Sequence, residues 1–324
     1  MKIAMIGTGA YGLAMAKVLS EKNKITFWTE SPANLDKLKN KEYLNSIIPG
    51  YEMPKNITIT PSYQEAISDA KVIFIMVAAK YVDDVANNLK NIIKKEQHVV
   101  ICSKGIEQDH SNFVHEVWLK YIKTKRLAVI SGPSFAVDMA NGDPVGLAMG
   151  SKSKETKNTL YKIFNSSTVK LRPSNDLLGI GLCGSIKNVI AIAAGMVSGL
   201  GYSDSTSAFL INESMYDIKE LIGKLGGKRR TILSFAGIGD LVLTCTSTKS
   251  RNFSFGYLIG SGASKKEIDD YININTVEGY YTIISIYKLI KKKKIDMPII
   301  DLIYKIIVNH ENPKSLVKFL MTKK

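Results

Sequence analysis

Lys2-Ile3-Ala4-Met5-Ile6-Gly7-Thr8-Gly9-Ala10-Tyr11-Gly12 opens the chain, and a helical pattern over residues 13–19 follows it directly. The apolar start predicts a buried strand, so the glycines, in G-x-G-x-x-G spacing, lie on a strand-to-helix turn. Gly7 permits the tight turn, Gly9 lets the backbone approach a pyrophosphate, and Gly12 lets the helix pack on the strand. The helix N-terminus adds unpaired N–H groups that bind phosphate. The stretch therefore predicts a dinucleotide-binding turn.

A second predicted strand, residues 25–29, leads into Glu30. An acidic side chain about 20 residues beyond such a glycine turn accepts hydrogen bonds from a ribose diol. The same carboxylate repels the 2′-phosphate of NADP, so Glu30 favours NAD, although Lys37 and Lys39 lie close enough in sequence to weaken that preference. The alternative is that Glu30 is a solvated strand end and that the glycine turn binds no ligand.

Short apolar strands alternate with helical patterns through the first half of the chain. The predicted strands are 2–6, 25–29, 57–60, 71–77, 98–103, 127–131, 145–149 and 168–171, with helices at 81–94, 110–122 and near 154–165. Alternation of this kind predicts βαβ units and a doubly wound α/β sheet. We therefore expect an NAD(P)-binding Rossmann-type domain at residues 1–175, with ligands bound beyond the carboxyl ends of its strands.

Strand-like runs stop at about Asn175, and long helical patterns replace them. The predicted helices are 175–198, 206–224, 228–234, 253–260, 265–270, 279–290, 298–309 and 313–321. An all-helical domain that carries the substrate and catalytic residues is therefore expected at residues 176–324.

The 324 residues carry a formal net charge of +15. A strongly positive charge is compatible with binding to nucleic acid, to a membrane surface or to an anionic small molecule. Most lysines are scattered, and the one dense run, at 291–294, lies near a predicted helix end, where basic side chains are favourable. No nucleic-acid motif accompanies them, so we expect a solvated basic surface and no nucleic-acid partner.

Three widely spaced cysteines, Cys102, Cys183 and Cys245, predict neither a disulfide framework nor a metal site and are compatible with a reducing compartment. The chain enters its first strand at once, which predicts no signal peptide, and we expect a cytoplasmic protein. The apolar run at 189–194 falls short of the ~20 residues of a membrane span, so we expect no membrane insertion.

Two segments combine polar groups with small residues just after a predicted strand. Lys104, in Cys102-Ser103-Lys104-Gly105-Ile106-Glu107, lies at the strand edge where ligands bind, and its ammonium can neutralise a phosphate or polarise a carbonyl. Residues 131–136, Ser-Gly-Pro-Ser-Phe-Ala, offer backbone N–H and hydroxyl groups to an anion. The alternative is a surface lysine and a plain turn.

Two further segments place charges among apolar neighbours. Burial lowers the pKa of a lysine, so Lys187 is a candidate general base, and Asp240 is a candidate counter-charge. Arg251, in Ser250-Arg251-Asn252, offers a bidentate fork that suits phosphate. The alternatives are a lysine that extends to solvent, an aspartate helix cap and a surface arginine.

Together these segments resemble, in order and over nearly the whole chain, the bacterial-type NAD(P)-dependent glycerol-3-phosphate dehydrogenase family. The stretches that match are residues 7–12, Ser-Lys-Gly-Ile-Glu at 103–107, Ser-Gly-Pro-Ser-Phe-Ala at 131–136, Lys-Asn-Val-Ile-Ala-Ile-Ala-Ala-Gly at 187–195, Gly-Asp-Leu-Val-Leu-Thr-Cys-Thr at 239–246, Ser-Arg-Asn at 250–252 and Val-Glu-Gly at 277–279. The resemblance implies a Rossmann-type domain followed by a helical domain like that of 6-phosphogluconate dehydrogenase. It also implies interconversion of sn-glycerol 3-phosphate and dihydroxyacetone phosphate with NAD(P), supply of glycerol 3-phosphate for phospholipid synthesis, and a homodimer.

The resemblance also implies roles for individual residues. Lys187 takes the proton of the secondary alcohol, Asp240 orients it or balances its charge, and Lys104 acts with them. The implied substrate-binding residues are Lys104, Gly132, Ser134, Lys187, Asp240, Ser250, Arg251 and Asn252. The implied cofactor-binding residues are Gly7, Gly9, Ala10, Tyr11, Gly12, Glu30, Lys104, Ala136, Arg251, Val277 and Glu278, and no metal is implied.

The chain departs from residues common in this family at Gly181, Ser205 and Glu213. These positions lie outside the chemical core and concern the surrounding geometry and the oligomer contacts. The family's usual His or Arg is also absent at Glu30, which again favours NAD.

Two other functions compete with this interpretation. A related β-hydroxyacid dehydrogenase would need carboxylate-binding groups and would give no role to Arg251 and Asn252. A nicotinamide-binding protein without catalysis would be expected to lack Lys187 or Asp240, and both are present.

Overall fold

The computed structural model describes residues 1–107, 111–165 and 167–323. It divides into two compact units, Met1–Ser103 with Val114–Leu177, and Lys104–Phe113 with Leu178–Lys324. The sequence predicted a single boundary between residues 175 and 176. The structure differs because the short segment Lys104–Phe113 belongs to the second unit. Its attachment has a physical cause, because the Gly105 N–H donates to Ser185 Oγ at 2.9 Å and the Lys104 ammonium lies 3.1 Å from Asp240.

Eight strands form one sheet in the described part of the first unit. They are β1 Lys2–Ile6, β2 Lys24–Trp28, β3 Ile57–Thr60, β4 Val72–Ile75, β5 His98–Ile101, β6 Leu127–Ser131, β7 Val145–Gly150 and β8 Val169–Ser174. Their order is β3-β2-β1-β4-β5-β6-β7-β8, and every neighbouring pair is parallel except β6 with β7. The predicted strands and the Rossmann-type α/β class are confirmed.

The sheet order explains where a ligand belongs in this unit. β1 pairs with β2 on one side and with β4 on the other, with Ile3 in register with both Ile25 and Val72. The strand order therefore reverses at β1, because successive strands are added first on one side of it and then on the other. Doubly wound folds bind ligands at such a point, beyond the carboxyl ends of the strands. The glycine turn leaves β1 at that end.

Helices cover the sheet of the first unit. They are α1 Ala10–Ser20, α2 Pro32–Lys39, α3 Lys41–Ile47, α4 Tyr63–Ile67, α5 Val82–Leu89, α6 Val114–Tyr121, α7 Ala136–Ala140 and α8 Lys154–Phe164. Leu13 and Met15 of α1 are fully buried in a core shared with Phe27 of β2. The sequence missed α2, α3, α4 and α7, and His110, the first residue of the predicted helix 110–122, lies outside the described residues.

Residues 178–323 of the second unit form helices joined by turns and loops. The helices are α9 Leu177–Gly199, α10 Asp204–Lys224, α11 Asp240–Cys245, α12 Arg251–Gly260, α13 Lys265–Ile274, α14 Glu278–Lys292, α15 Pro298–Asn309 and α16 Ser315–Thr322. A 3₁₀ turn at Arg229–Leu233 and a π-type turn at Phe235–Gly239 precede α11. The all-helical class is confirmed, but α11 was not predicted.

The helix α9 is longer than its apolar run suggested. It has 23 residues, and an 18-residue stretch of it has a mean hydropathy of 1.8. By length and composition it could therefore cross a membrane, and the argument that the run is too short was wrong. In the structure 89% of that apolar stretch is buried. A helix in the core of a folded domain has the same composition as a membrane span.

Glycines let α9 and α12 approach each other at backbone distance. A Cβ at Gly195 would overlap the carbonyl oxygen of Phe253, and a Cβ at Gly256 would overlap that of Ile192. Any amino acid larger than glycine at either position would push the two helices apart, because backbone atoms cannot move aside as the end of a flexible side chain can. The crossing fixes the start of α12, with Arg251 and Asn252, relative to the helix that carries Lys187.

Candidate active site

The glycine turn in the first unit has the geometry that a pyrophosphate needs. Gly7 has φ +116°, and a Cβ there would lie 2.9 Å from the Met76 carbonyl carbon and the Val77 nitrogen. A Cβ at Gly12 would overlap the Gly7 carbonyl oxygen. At Gly9 a Cβ would meet no protein atom within 4 Å. Gly7 and Gly12 are therefore required by the fold, whereas Gly9 leaves open space beside the turn.

The helix that follows the turn offers its N-terminus to that open space. α1 begins at Ala10, and its N-cap residue Gly9 supplies no side-chain hydrogen bond. The first N–H groups of an α-helix have no partner within the helix, and with the positive end of the dipole they bind phosphate. The residues present therefore fit a dinucleotide pyrophosphate.

Glu30 is exposed just past the end of β2. Close by, the Trp28 and Tyr63 rings stack with centroids 4.1 Å apart. Burial raises the pKa of the Tyr63 hydroxyl to about 12, and the Glu30 carboxylate adds to the rise. Lys37 and Lys39 are exposed in the last turn of α2.

A second predicted segment of the first unit lies beside α1. The Ser134 hydroxyl donates to the Gly132 carbonyl at 3.1 Å and lies 3.2 Å from the hydroxyl of Tyr11. Gly132 is required because a Cβ there would approach the Gly146 carbonyl oxygen to 2.5 Å. Ala136 begins α7. The structure therefore brings together Tyr11, which the family resemblance assigned to the cofactor, and Ser134, which it assigned to the substrate.

Three charged side chains predicted from distant segments meet in the second unit. The Lys187 ammonium donates to Asp240 Oδ1, and the Lys104 ammonium donates to Asp240 Oδ2 at 3.1 Å. The Asp240 side chain is 1% exposed and that of Lys187 is 10% exposed. One buried carboxylate therefore binds two ammonium groups, so the cluster carries a net positive charge.

Thr244 completes this cluster. Its hydroxyl lies 2.9 Å from the Lys187 ammonium, which donates to it, and itself donates to the Asp240 carbonyl at 2.6 Å. The sequence analysis quoted Thr244 within its segment but assigned it no role. The available signal was helical spacing, because a residue four positions after Asp240 lies on the same face of the helix.

The cluster has a shifted protonation equilibrium. Burial lowers the pKa of Lys187, the Asp240 carboxylate raises it and the like charge of Lys104 lowers it, so that the pKa is about 8. An amine with a pKa near neutrality exchanges a proton readily in either direction, which is the requirement for a general acid–base group. Burial also raises the pKa of the neighbouring Cys245 thiol, which keeps it protonated.

Local backbone geometry explains the position of Asp240. The Ser234 side chain accepts a hydrogen bond from the Gly237 N–H, and Gly237 has non-helical dihedrals of φ −86° and ψ −107°. A Cβ at Gly237 would overlap the Ile232 carbonyl oxygen. The chain therefore turns tightly through glycine and starts α11 at Asp240.

A second group of predicted residues surrounds the start of α14. The Asn252 side-chain oxygen accepts from the Gly279 N–H at 2.8 Å, and Asn188 donates to the Glu278 carboxylate at 3.0 Å. Val277 is fully buried at the N-cap. The Glu278 charge also raises the pKa of Lys187, so this group lies near the lysine cluster. The sequence analysis quoted Asn188 within the stretch 187–195 but assigned it no role.

The phosphate-binding candidates stand at the start of α12. Ser250 caps the helix by accepting from the Phe253 N–H at 3.3 Å. The Arg251 side chain is exposed, and its carbonyl accepts from the Tyr271 hydroxyl at 3.2 Å. Among the described residues, no group of three or more His, Cys, Asp or Glu side chains is placed to hold a metal ion. The second unit therefore offers a buried amine that can transfer a proton, together with basic and amide groups that can bind an anion.

Comparison with known proteins gives the same family from both halves of the chain. The family model of the NAD-dependent glycerol-3-phosphate dehydrogenase N-terminus matches residues 2–157, and that of the C-terminus matches residues 176–318. A glycerol-3-phosphate dehydrogenase [NAD(P)+] of Staphylococcus aureus is 34% identical over 99% of this chain and 97% of its own length. The protein of the same name from Fusobacterium nucleatum is 33% identical over 99% and 96%.

Solved structures agree. The crystal structure of glycerol-3-phosphate dehydrogenase from Coxiella burnetii superposes with a TM-score of 0.92 at 30% identity, covering 99% of both chains. The Plasmodium falciparum enzyme gives a TM-score of 0.86 at 21% identity, which shows the shared fold alone. The chain therefore belongs to the NAD-dependent glycerol-3-phosphate dehydrogenase family.

Proposed function

We propose that the chain interconverts sn-glycerol 3-phosphate and dihydroxyacetone phosphate with NAD(P) and that Lys187 carries the proton in that reaction. The bacterial relatives are named glycerol-3-phosphate dehydrogenase [NAD(P)+], and the chain is an oxidoreductase of their family. One observation supports Lys187 most strongly. Its buried ammonium is held by the Asp240 carboxylate and the Thr244 hydroxyl, and burial lowers its pKa to about 8.

In the oxidation direction neutral Lys187 accepts the hydroxyl proton of C2 as the C2–H bond breaks and the carbonyl forms. In the reduction direction the Lys187 ammonium returns that proton to the carbonyl oxygen. When bound, the nicotinamide of NAD(P) supplies the hydride acceptor or donor. The proton and the hydride together account for both hydrogens lost by the alcohol.

Asp240 and Lys104 act on the reacting amine. The Asp240 carboxylate holds Lys187 Nζ in place and stabilises its ammonium form, while the nearby Lys104 ammonium favours the neutral form. The Lys104 ammonium, which donates to the same carboxylate, can also attract the oxygen of a carbonyl or a phosphate. Opposed effects of this kind keep the pKa of a general acid–base group near the working pH.

The remaining substrate and cofactor roles follow the family pattern. Ser250, Arg251 and Asn252 bind the phosphate, because Arg251 offers an exposed bidentate fork. Gly132 and Ser134 of the first unit also contact substrate. The residues assigned to the cofactor are Gly7, Gly9, Ala10, Tyr11, Gly12, Glu30, Lys104, Ala136, Arg251, Val277 and Glu278.

The finer cofactor preference is NAD over NADP. The exposed Glu30 carboxylate follows β2, where it accepts the ribose hydroxyls and repels a 2′-phosphate. The chain acts in the cytoplasm as a homodimer that supplies glycerol 3-phosphate for phospholipid synthesis.

A spectrophotometric assay tests the proposed reaction. Purified chain is mixed with NADH or NADPH, and the loss of reduced cofactor is followed after addition of dihydroxyacetone phosphate. We expect turnover with dihydroxyacetone phosphate, little with unphosphorylated dihydroxyacetone, and a higher kcat/KM with NADH. Absence of turnover with both cofactors would contradict the reaction, and a strong NADPH preference would contradict the role of Glu30.

A further inference from the structure

A buried serine on α9 holds the backbone of the short segment Lys104–Phe113. The Ser185 hydroxyl accepts a hydrogen bond from the Gly105 N–H at 2.9 Å, and it donates to the Gly181 carbonyl, one helical turn earlier, at 2.9 Å. Ser185 is 1% exposed, and Gly105 is also buried. The bond to its own helix orients the hydroxyl, so its oxygen is directed to the segment.

The backbone at Gly105 makes this hydrogen bond necessary. Gly105 has φ +135°, which side-chain-bearing residues rarely adopt, so the chain turns there directly after Lys104. Beyond the turn, Ile106 forms an antiparallel bridge with Phe113. A buried N–H that loses its acceptor costs free energy, so removal of the Ser185 hydroxyl should loosen the turn rather than leave it unchanged.

The hydrogen bond connects the two lysines of the charged cluster through their backbones. Ser185 lies two residues before Lys187 on α9, and Gly105 directly follows Lys104. Both ammonium groups donate to the Asp240 carboxylate. A lysine side chain has four rotatable bonds, so its ammonium keeps a fixed position only if its backbone is also fixed.

We propose that Ser185 is a positioning residue, which holds the Gly105 N–H and thereby fixes the Lys104 ammonium beside Asp240, where it attracts the substrate and acts on Lys187. The proposal rests on the proposed function, which gives the two lysines their roles. The family resemblance assigned no role to Ser185 or Gly105. Ser185 touches none of the reacting atoms in this proposal and acts through Lys104 alone.

The charges around Lys187 predict a signature of this role. The charged and titratable groups that act on Lys187 are Asp240, Lys104, Glu278 and the Cys245 thiol. The two carboxylates raise the pKa of Lys187, whereas Lys104 lowers it. Because a Coulomb interaction weakens with distance, withdrawal of Lys104 should raise the pKa of Lys187. This direction is opposite to the effect expected from loss of the Asp240 charge.

Ser185→Ala tests the proposal, and Ser214→Ala is its matched control. Ser214 is a fully buried helical serine that donates to the Leu210 carbonyl at 2.7 Å and, within the described residues, holds no other segment. In Ser185→Ala we expect the KM for dihydroxyacetone phosphate to rise about 3- to 10-fold, as for loss of one hydrogen bond. The midpoint of the pH profile of kcat for glycerol 3-phosphate oxidation should move to higher pH. Wild-type values of both quantities would overturn the proposal.

A double-mutant cycle separates positioning of Lys104 from a general effect on packing. In a Lys104→Met background the cation is absent, so adding Ser185→Ala should change the KM by less than about twofold. A Ser185→Ala effect as large as in the wild-type background would show that Ser185 acts through another group, and would overturn the proposal.

Hydrogen exchange tests the attachment without any turnover. Mass spectrometry follows the amides of residues 104–107, and we expect faster exchange in Ser185→Ala than in wild type or Ser214→Ala, because the Gly105 N–H has lost its acceptor. Unchanged exchange would overturn the proposal even in an active enzyme. A wild-type chain without turnover would instead contradict the proposed function, and the exchange rates would still show whether Ser185 holds the segment.

Discussion

The glycine turn of the first unit and the lysine cluster of the second are built in opposite ways. The turn occupies consecutive residues, from Gly7 to Gly12. The cluster joins Lys187 to Asp240 across 53 positions and Lys104 to Asp240 across 136. We expect the turn to bind through backbone N–H groups and the absence of side chains, and the cluster to act through three ionisable side chains whose charges affect one another.

The two sites therefore tolerate different substitutions. A backbone site fails when a Cβ enters it, and the position of that Cβ decides whether folding or binding is lost. A side-chain site keeps its fold when a charge is replaced by a group of similar shape, but it loses its chemistry. Substitutions in the two regions should therefore separate stability, binding and turnover.

The largest effect is expected from Lys187→Met, which keeps the aliphatic stem and removes the amine. Since Lys104 still neutralises Asp240, we expect a folded protein that binds NADH normally. The kcat should fall by about 10²–10⁴-fold, as for loss of a general acid–base group. Lys170→Met, on the exposed side of β8, is the matched control. Near-normal turnover of Lys187→Met in the dihydroxyacetone phosphate assay would remove Lys187 from the mechanism.

Arg251→Ala should give the next largest effect. Hydrogen bonds to a charged group contribute about 1.5–3 kcal/mol, so the KM for dihydroxyacetone phosphate should rise about 10- to 100-fold. The weak reduction of unphosphorylated dihydroxyacetone should change far less. Arg230→Ala, at another exposed arginine of the same unit, is the control. Equal losses on both substrates would mean that Arg251 does not bind the phosphate.

Two glycines of the turn should respond differently to the same added methyl group. Gly9→Ala meets no protein atom, so the Tm should stay unchanged while the Kd for NADH rises at least about tenfold, as expected if the pyrophosphate occupies that space. Gly12→Ala overlaps the Gly7 carbonyl and should lower the stability by about 1–3 kcal/mol. Thermal denaturation and fluorescence titration measure the two quantities. Normal NADH binding by Gly9→Ala would place the pyrophosphate elsewhere.

The pH dependence should follow the Lys187 amine. Burial lowers the pKa of Lys187 to about 8. The fraction of Lys187 in the neutral form therefore increases as the pH rises through about 8, and oxidation of glycerol 3-phosphate should accelerate. Reduction of dihydroxyacetone phosphate needs the ammonium and should slow over the same range. Asp240 raises this pKa, so Asp240→Asn should move both midpoints to lower pH. Profiles of kcat whose midpoints do not move in that variant would contradict the coupling.

The smallest effect is expected from Glu30→Arg. The new cation should attract the 2′-phosphate of NADPH and shift the ratio of kcat/KM from NADH toward NADPH. Lys37 and Lys39 lie on the next helix. We expect them already to attract that phosphate, so the shift should be modest. Glu21→Arg, at an exposed position just after α1, is the control. An unchanged ratio would show that Glu30 faces only solvent.

Much of this fold could be predicted because its signals are local. β4 and β5 are buried along their whole length, and continuous apolar runs predicted them as strands. The short helices α2 and α4 were missed because each starts at a serine cap rather than from an apolar stripe. The helix α11 was missed because the glycine-rich turn before it hides the helical pattern.

The candidate site could be predicted only as separate segments. Lys187 and Asp240 stood out as charges among apolar neighbours, and the structure places their side chains in contact. Thr244 and Asn188 carried no such signal, because uncharged polar residues are common in helices. Their importance follows from partners, the Lys187 ammonium and the Glu278 carboxylate, that are distant in sequence.

The class of fold and the glycine turn could be predicted from the sequence alone, because strand burial, helix periodicity and the backbone freedom of glycine are properties of neighbouring residues. The surroundings of Lys187 depend on the folded chain, which buries this amine and joins it and Lys104 to one carboxylate. Burial lowers the pKa of Lys187 to about 8, although Asp240 raises it. The physical reason is that burial and Coulomb interactions depend on distances in space, which the helix packing of the second unit sets.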